Sequence, residues 1–384
     1  MNYLVIGAGM MGSAAAYDLA IRHADDQVIL ADIDMQTASQ SANAIGPNVK
    51  PLRLDVNNPN DLLKAMHGCQ AVISAVSYSV NYDVARAAIR AGAHMCDLGG
   101  NNGIMEKQLR LDNEAKTAGV TIIPNCGLAP GLINILAVSG ANEFDEVDSI
   151  HLRVGGLPQH PRPPLNYQIV FSVEGLINEY VENAEIIRNG QLVHVEGMSG
   201  LEKIVFPEPF GTLEAFNTSG GISTVTQHFL GRVKNLDYKT IRYEGHCEKF
   251  KTLLDLGFAT NEPLMAGGSL KTHREFFTDL LRKRLDFGDT DVVLARATLN
   301  GKRDNVERTL VYECIDYYDE ATKMTAMMRT TAFPTSIIAQ MLARGEVTTR
   351  GVMPPELCIP GDPMIRDLAL RDVKITKHVT EKGS

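Results

Sequence analysis

Residues 3–12 read Tyr-Leu-Val-Ile-Gly-Ala-Gly-Met-Met-Gly, an apolar run ending in Gly7-x-Gly9-x-x-Gly12. A helical stretch follows, then a second apolar run, Val28-Ile29-Leu30-Ala31, closed by Asp32 twenty residues beyond Gly12. Strand, glycine turn, helix, strand and acid in this register form a dinucleotide-binding pattern. Gly7 permits a tight turn, Gly9 lets backbone approach a pyrophosphate, and Gly12 lets the helix sit close to the strand. The N–H groups of the turn, Gly7, Ala8, Gly9, Met10, Met11 and Gly12, together with the helix dipole, suit phosphate. Asp32, followed by Ile33, is placed to accept hydrogen bonds from a ribose diol and to repel a 2′-phosphate, which favours NAD over NADP.

Working outward, the first third keeps alternating strands and helices. Val49 to Val56 is a third strand whose end, Asp55-Val56, is a place for adenine. Gln70 to Ser77 is a fourth, His94 to Leu98 a fifth and Val120 to Pro124 a sixth, with helices between them. The pattern predicts a doubly wound parallel sheet of Rossmann type, covered on both faces. Ligands in such sheets bind outside the carboxyl ends of the strands. Ala75, Val76, Ser77, Tyr78, Asp97, Leu98, Asn125 and Cys126 follow strand ends and are expected near a nicotinamide.

After Gly127-Leu-Ala-Pro-Gly131 the pattern changes. Ile150 to Val154, Tyr238 to Tyr243, Val292 to Thr298, Leu310 to Ile315 and Met324 to Thr330 read as half-buried antiparallel strands. They predict a second α/β domain with a largely antiparallel open sheet. The proline-rich Leu157 to Pro164 reads as an ordered lid or interface arm, and Thr272 to Lys283 as an amphipathic helix. Pro334 to Ala343 is helical again, followed by a last helix and strand near Met364 to Ile375. The expected division is 1–126, completed by 335–384, for the dinucleotide domain, and 127–334 for a substrate and dimerisation domain.

Bulk properties agree. At 384 residues the chain is long enough for two cores. Lys and Arg number 37 against 46 for Asp and Glu, a net charge of −9, so attraction to nucleic acid or an anionic membrane is not expected. Six cysteines lack CxxC or zinc-ligand spacing and read as reduced thiols of a cytoplasmic protein. No metal site is expected. Met1-Asn2 leads into a strand without a basic segment, so no signal peptide is expected.

Several motifs occur in order: Gly7-x-Gly9-x-x-Gly12, Asp97-Leu-Gly-Gly100, Gly127-Leu-Ala-Pro-Gly131, Gly155-Gly-Leu-Pro158, Thr218-Ser-Gly-Gly221, Arg242-Tyr-Glu-Gly-His246, Met328-Arg-Thr-Thr331 and Gly351-Val-Met-Pro-Pro355. The set resembles the saccharopine dehydrogenase family over nearly the whole chain, most closely its L-lysine 6-dehydrogenase branch. That resemblance implies a variant Rossmann domain, a second domain whose open sheet often lines a homodimer interface, and NAD-linked deamination of the lysine ε-carbon. Saccharopine-forming members commonly carry an acid where this chain has Ala129 and a cysteine where it has Val154. Both departures favour a smaller, singly carboxylated amino acid.

The side chains suggest roles of their own. Arg242 suits bidentate binding of a carboxylate, or a structural ion pair with Glu244 or Glu248. Tyr243 is its neighbour in the strand. His246 reads as an aid to that clamp, a proton carrier or a core histidine. Thr218 and Ser219 offer hydroxyls to an amino-acid head, or form a plain turn. Tyr167 and Phe171 are walls for a methylene chain, or ordinary core. Asp97 is the expected acid/base, or a brace for its own turn, and Tyr78 an orienter or relay. Two further readings stay open: reductive amination of the saccharopine or carboxynorspermidine type, and an NAD-responsive protein that binds a metabolite for regulation.

Overall fold

The computed structural model describes residues 1–23, 25–266 and 269–381, which fall into two compact units. One comprises Met1–Asn142 and Met328–Lys374, the other Glu143–Met327 and the chain from Ile375 onward.

The first unit holds β1 (Asn2–Ile6), β2 (Gln27–Asp32), β3 (Val49–Arg53), β4 (Ala71–Ser74), β5 (His94–Asp97) and β6 (Thr121–Ile123). The second holds β7 (Glu146–Pro158), β8 (Ala184–Arg188), β9 (Gln191–Val195), β10 (Glu202–Phe206), β11 (Gly211–Asn217), β12 (Asn235–Arg242), the hairpin β13 (Pro263–Ala266) and β14 (Ser269–Thr272), β15 (Asp291–Arg303) and β16 (Val306–Tyr317). β17 (Gly351–Val352) belongs to the first unit and β18 (Ile375–Glu381) to the second.

In the first unit the order β17-β6-β5-β4-β1-β2-β3 is parallel throughout. β4 is buried along its whole length, and so is β1 beyond Asn2, as strands covered on both faces must be. Leu4, Ile6, Val72, Met95 and Ile122 pack with Val84 and Ala88 of the helix Asn81–Ala91. The order reverses at β1, where β2 lies on one side and β4 on the other. This switch point puts the glycine turn at the sheet's ligand-binding end.

In the second unit the order is β10-β11-β12-β7-β15-β16-β18, with β8 on β12 and β9 on β8. All pairs are antiparallel except β7 with β12, which run parallel, so the sheet is largely antiparallel, as expected. One face is covered by Val173–Val181, His246–Asp255 and His273–Leu285, whose Leu176, Tyr180, Phe250, Phe277 and Leu281 share a core with Phe216.

The structure corrects several expectations. The unit boundaries fall after Asn142 and before Met328, not at 126/127 and 334/335. The helix Leu132–Ala141 is apolar nearly all round, with nine of its ten residues buried, and it belongs to the first unit's core. Met324 to Thr330 is not a strand: a helix starts at Ala326, its first N–H groups donating to the buried Asp291 carboxylate from Ala326 (2.7 Å) and Met327 (2.9 Å). The final strand does not close the first unit, because Ile375–Glu381 pairs with β16 along its exposed edge. The proline-rich segment after Pro158 is tied to residues 287–291: Gln159 N donates to Thr290 O, His160 N donates to Asp289, and Arg162 lies 4.6 Å over the Phe287 ring. No helix among the described residues is long and apolar enough to cross a membrane.

Candidate functional site

At the glycine turn, Gly7 and Gly12 are fixed by close approach. A Cβ on Gly12 would sit 1.7 Å from Gly7 O, and one on Gly7 would meet Ala75 O at 2.6 Å. Gly9 differs, since a Cβ there would have no neighbour within 4 Å. Its missing side chain therefore leaves open space beside the start of the helix Met10–Arg22, where Gly9 and Met10 are exposed. The first N–H groups of a helix have no carbonyl within the helix. Open space facing such groups fits a pyrophosphate.

Asp32 ends β2 half-buried. Its Oδ2 accepts from Ala8 N (2.8 Å) and its Oδ1 from Asp34 N (3.0 Å), so the carboxylate is locked against the turn. Ile33 beside it is exposed. Asp34 caps the helix Met35–Ile45 and is held below the usual carboxylate range by the Thr37 hydroxyl and the Gln36 N–H. Two carboxylates thus flank the expected ribose position. Asp55 is exposed and accepts from Asn57 N, while Val56 packs on the core, giving a polar and an apolar edge at the end of β3.

At the other strand ends, Val76 is half-buried on the core and Ser77 is exposed, heading the short helix Tyr78–Val80. The half-buried Tyr78 ring lies against Gly100, and Leu98 is half-buried beside them. Asp97 lies deeper. It is fully buried, its Oδ1 accepts from Gly99 N (2.8 Å) and Asn125 N (3.1 Å), and its Oδ2 accepts from Gln108 Nε2 (2.7 Å). Burial pushes its carboxyl up, and these three donors pull it back. Both oxygens are engaged and none of the residue is exposed, so Asp97 joins the β5 and β6 ends as a brace. Of its two readings, this geometry favours the brace. Cys126 is likewise buried, and burial pushes its thiol well up.

The second unit gathers a different set. Arg242, at the end of β12, is 2% exposed. Its Nε donates to Tyr180 Oη (2.8 Å) and its Nη1 to Ile241 O (2.8 Å), and the guanidinium lies 4.6 Å over the Tyr167 ring. Nη2 donates to no described residue. Tyr180 Oη is 3.1 Å from His246 Nε2, and His246 Nδ1 is 2.9 Å from Leu165 O. Burial, reinforced by the Arg242 charge, pushes His246 down to about 3. The ring is therefore neutral, with Nδ1–H donating to Leu165 O and Nε2 accepting from Tyr180. That chain ends in a backbone carbonyl, an arrangement that orients Tyr180 and favours the reading of His246 as an aid to the clamp. The surface ion pair proposed for Arg242 does not form: Glu244 pairs with Lys203 instead.

Thr218 Oγ1 and Thr240 Oγ1 are 2.7 Å apart, and the Ser219 hydroxyl donates to Glu182 (3.1 Å). Ser219 N donates to Glu179 O, and Gly221 lies under the Tyr238 ring, which a Cβ would strike at 2.3 Å. Tyr167 is fully buried, and burial pushes its hydroxyl to about 12. Phe171 is half-buried against the same core. Tyr243 does not join this set. It follows Arg242 in sequence and so points to the opposite face, where its hydroxyl donates to Pro158 O (2.9 Å).

Residues 3–123 match the family model described as the saccharopine dehydrogenase NADP binding domain, and residues 127–373 that of the saccharopine dehydrogenase C-terminal domain. The chain belongs to the saccharopine dehydrogenase family. Its first unit is accordingly a nicotinamide-dinucleotide-binding domain. Among relatives, the L-glutamate-forming saccharopine dehydrogenase [NADP(+)] of Schizosaccharomyces pombe is 26% identical over 265 residues, 67% of this chain and 58% of that one. The mitochondrial alpha-aminoadipic semialdehyde synthase of Mus musculus is 24% identical over 377 residues, 80% of this chain and 40% of that one. The chain thus spans less than two thirds of these curated relatives. The apo saccharopine dehydrogenase (L-Glu forming) of Saccharomyces cerevisiae shares the fold at a TM-score of 0.82 and 18% identity, covering 99% of both chains. The homospermidine synthase of Legionella pneumophila in complex with NAD does so at 0.70 and 14%, covering 99% of this chain and 91% of that one.

Within this family member, sequence reasoning missed Glu179, Tyr180, Tyr238 and Gln108. Tyr180 had a signal. Val173, Leu176, Ile177 and Tyr180 recur at helical spacing and are all buried. Glu179 and Gln108 had none, because each is significant only through a partner distant in the chain.

Proposed function

We propose that the protein oxidises the ε-carbon of L-lysine with NAD. In this reaction lysine, water and NAD+ give 2-aminoadipate 6-semialdehyde, ammonium, NADH and a proton, and the aldehyde cyclises to a piperideine carboxylate. The observation that carries the reading is Arg242, a guanidinium only 2% exposed whose Nη2 donates to no described residue. A buried cation with spare donors calls for an anion, and a planar fork suits a carboxylate. Aromatic Tyr167 lies over it, and Phe171 is in the same core, so a methylene chain leaving that carboxylate meets apolar walls.

The dinucleotide supplies the hydride acceptor when bound. Gly9 and the following N–H groups hold its phosphates, with Ala8, Met10 and Met11. Asp32 takes the ribose diol, and Asp32 with Asp34 repels a 2′-phosphate, which supports NAD against NADP. Asp55 and Val56 edge the adenine. Tyr78 is the group at the nicotinamide end suited to relay a proton, and Asp97 holds the loops around it. A protonated amine cannot expel hydride, so the ε-ammonium, ordinarily titrating at about 10.4, must lose its proton first. A homodimer in the cytoplasm is part of the same reading.

The relatives' names favour a second reading, saccharopine-type reductive amination, and one assay separates the two. Absorbance at 340 nm is followed with purified protein and lysine plus NAD, lysine plus NADP, or a semialdehyde plus an amino acid with NAD(P)H. NADH formation from lysine alone, rising from pH 7 to pH 10, is the expected result. Consumption of NAD(P)H only when both carbonyl and amine are supplied would establish the second reading. Tight NAD binding without turnover in any arm would establish a regulatory protein.

A further inference from the structure

We propose that Glu179 and Arg242 form a zwitterion clamp: Arg242 takes the carboxylate and Glu179 the α-ammonium of a free α-amino acid. The inference rests on Arg242 as the carboxylate site and adds what selects the rest of the head group.

Glu179 lies on the helix Val173–Val181, immediately before Tyr180, the residue that receives the Arg242 Nε–H. Its backbone carbonyl accepts from Ser219 N, and its Cγ lies 3.9 Å from the position a Cβ on Gly220 would take. Ser219 and Gly220 of the Thr218–Gly221 loop therefore lie against this glutamate. Its neighbour Glu182 is engaged by the Ser219 hydroxyl. The half-buried Glu179 carboxylate has no hydrogen bond and no ion pair among the described residues.

Glu179 and Arg242 nevertheless sense each other's charge. Arg242 draws the Glu179 carboxyl down against burial and against Glu182, and the balance leaves it at about 7. Tyr167, Tyr180 and Tyr238 all feel the Glu179 charge too. The two opposite charges thus act on the same three phenols, yet no ion pair joins them among the described residues. A direct pair would satisfy both. The gap keeps an anion site and a cation site apart, which is the charge pattern of an α-amino acid head.

The test uses ligands that separate the two charges. L-Norleucine carries the head without an ε-amine, 6-aminohexanoate lacks the α-ammonium, and cadaverine lacks the carboxylate. Binding to the whole protein is measured by calorimetry, so the readout does not depend on turnover. Glu179→Gln should weaken L-norleucine by about tenfold or more, with 6-aminohexanoate changed by less than about twofold, since one charge-assisted contact is removed. Equal losses for both ligands, or none for L-norleucine, would overturn the clamp.

The unsubstituted protein gives an arm that does not depend on the variant folding. The groups facing Glu179 are Arg242, Glu182, Tyr167, Tyr180 and Tyr238, and burial holds the three phenols protonated. L-Norleucine affinity should therefore rise as pH climbs toward about 7 and then level off, while 6-aminohexanoate stays flat. Parallel profiles would count against the clamp. Turnover of lysine alongside an insensitive Glu179→Gln variant would sink the clamp and keep the lysine reading. Norleucine binding that needs Glu179, without lysine turnover, would do the reverse.

Discussion

At the scale of single residues, Gly9 and Gly12 show how one motif letter serves two physical ends. Gly12 is required by the protein, because any side chain there would drive into the Gly7 carbonyl. Gly9 is required by nothing in the protein: its φ is −71° and the space beside it is empty. Gly9→Ala should therefore leave the melting temperature within about 2 °C of the parent, as for substitutions away from packed or strained sites. It should also weaken NAD binding by about tenfold or more, because the methyl occupies the phosphate path. Fluorescence titration of NAD together with a thermal melt checks both halves. Loss of stability with affinity intact would show that Gly9 is structural. Asp97 teaches the converse, since an acid at a strand end has the right address for chemistry but three donors and complete burial make it a brace.

At the scale of elements, alternation along β12 decides the site. Arg242 and Tyr243 are adjacent in sequence, yet one enters the aromatic enclosure and the other bonds Pro158 on the far face. The next element, the helix His246–Asp255, is positioned from β11. The buried Glu214 accepts from Gly245 N (2.9 Å) and Cys247 N (2.5 Å), capping a helix start that has no cap of its own. Since His246 begins that helix and bonds Tyr180, which accepts from Arg242, the cap also fixes the surroundings of Arg242. Glu214→Ala should cost about 2 kcal/mol in urea unfolding by leaving those N–H groups without their acceptor. On the proposed lysine reading, lysine should also bind less tightly. Unchanged stability would mean that water replaces the carboxylate without cost. The helix starting at Ala326 follows the same rule: its first N–H groups find Asp291, thirty-five residues upstream, so local pattern alone read that stretch as a strand.

At the scale of the whole molecule, the buried His246 and the half-buried Glu179 of the second unit give stability opposite dependences on pH. His246 ordinarily titrates near 6.5 and is pushed down to about 3. Below 6.5 the unfolded chain therefore takes up a proton that the folded one refuses, and stability falls as pH drops. Glu179 is raised from 4.5 to about 7, so between those values the folded chain holds the extra proton and stability grows on acidification. Each contributes at most about 1.4 kcal/mol per pH unit, so they roughly offset from 6.5 to 4.5, and below 4.5 His246 prevails. Urea unfolding from pH 7 to 5 should show stability rising in His246→Asn and falling in Glu179→Gln. Identical slopes in both variants would refute the assignment.

How much of this was legible in the sequence follows from the range of the interactions. The doubly wound sheet, its glycine turn and Asp32 were readable because their determinants are local: apolar runs bounded by turns, and spacing within one strand-helix-strand unit. The mixed sheet of the second unit was legible as strands but not as pairings. Parallel β7 with β12, and Ile375–Glu381 on β16, join segments far apart in the chain. Arg242 could be named from its chemistry, but not whether it was a surface ion pair or a buried cation with spare donors. Only the tertiary structure decided that, because burial and the availability of a partner depend on what the fold packs around a side chain. It likewise decided that Asp97 is closed in by three donors of its own unit.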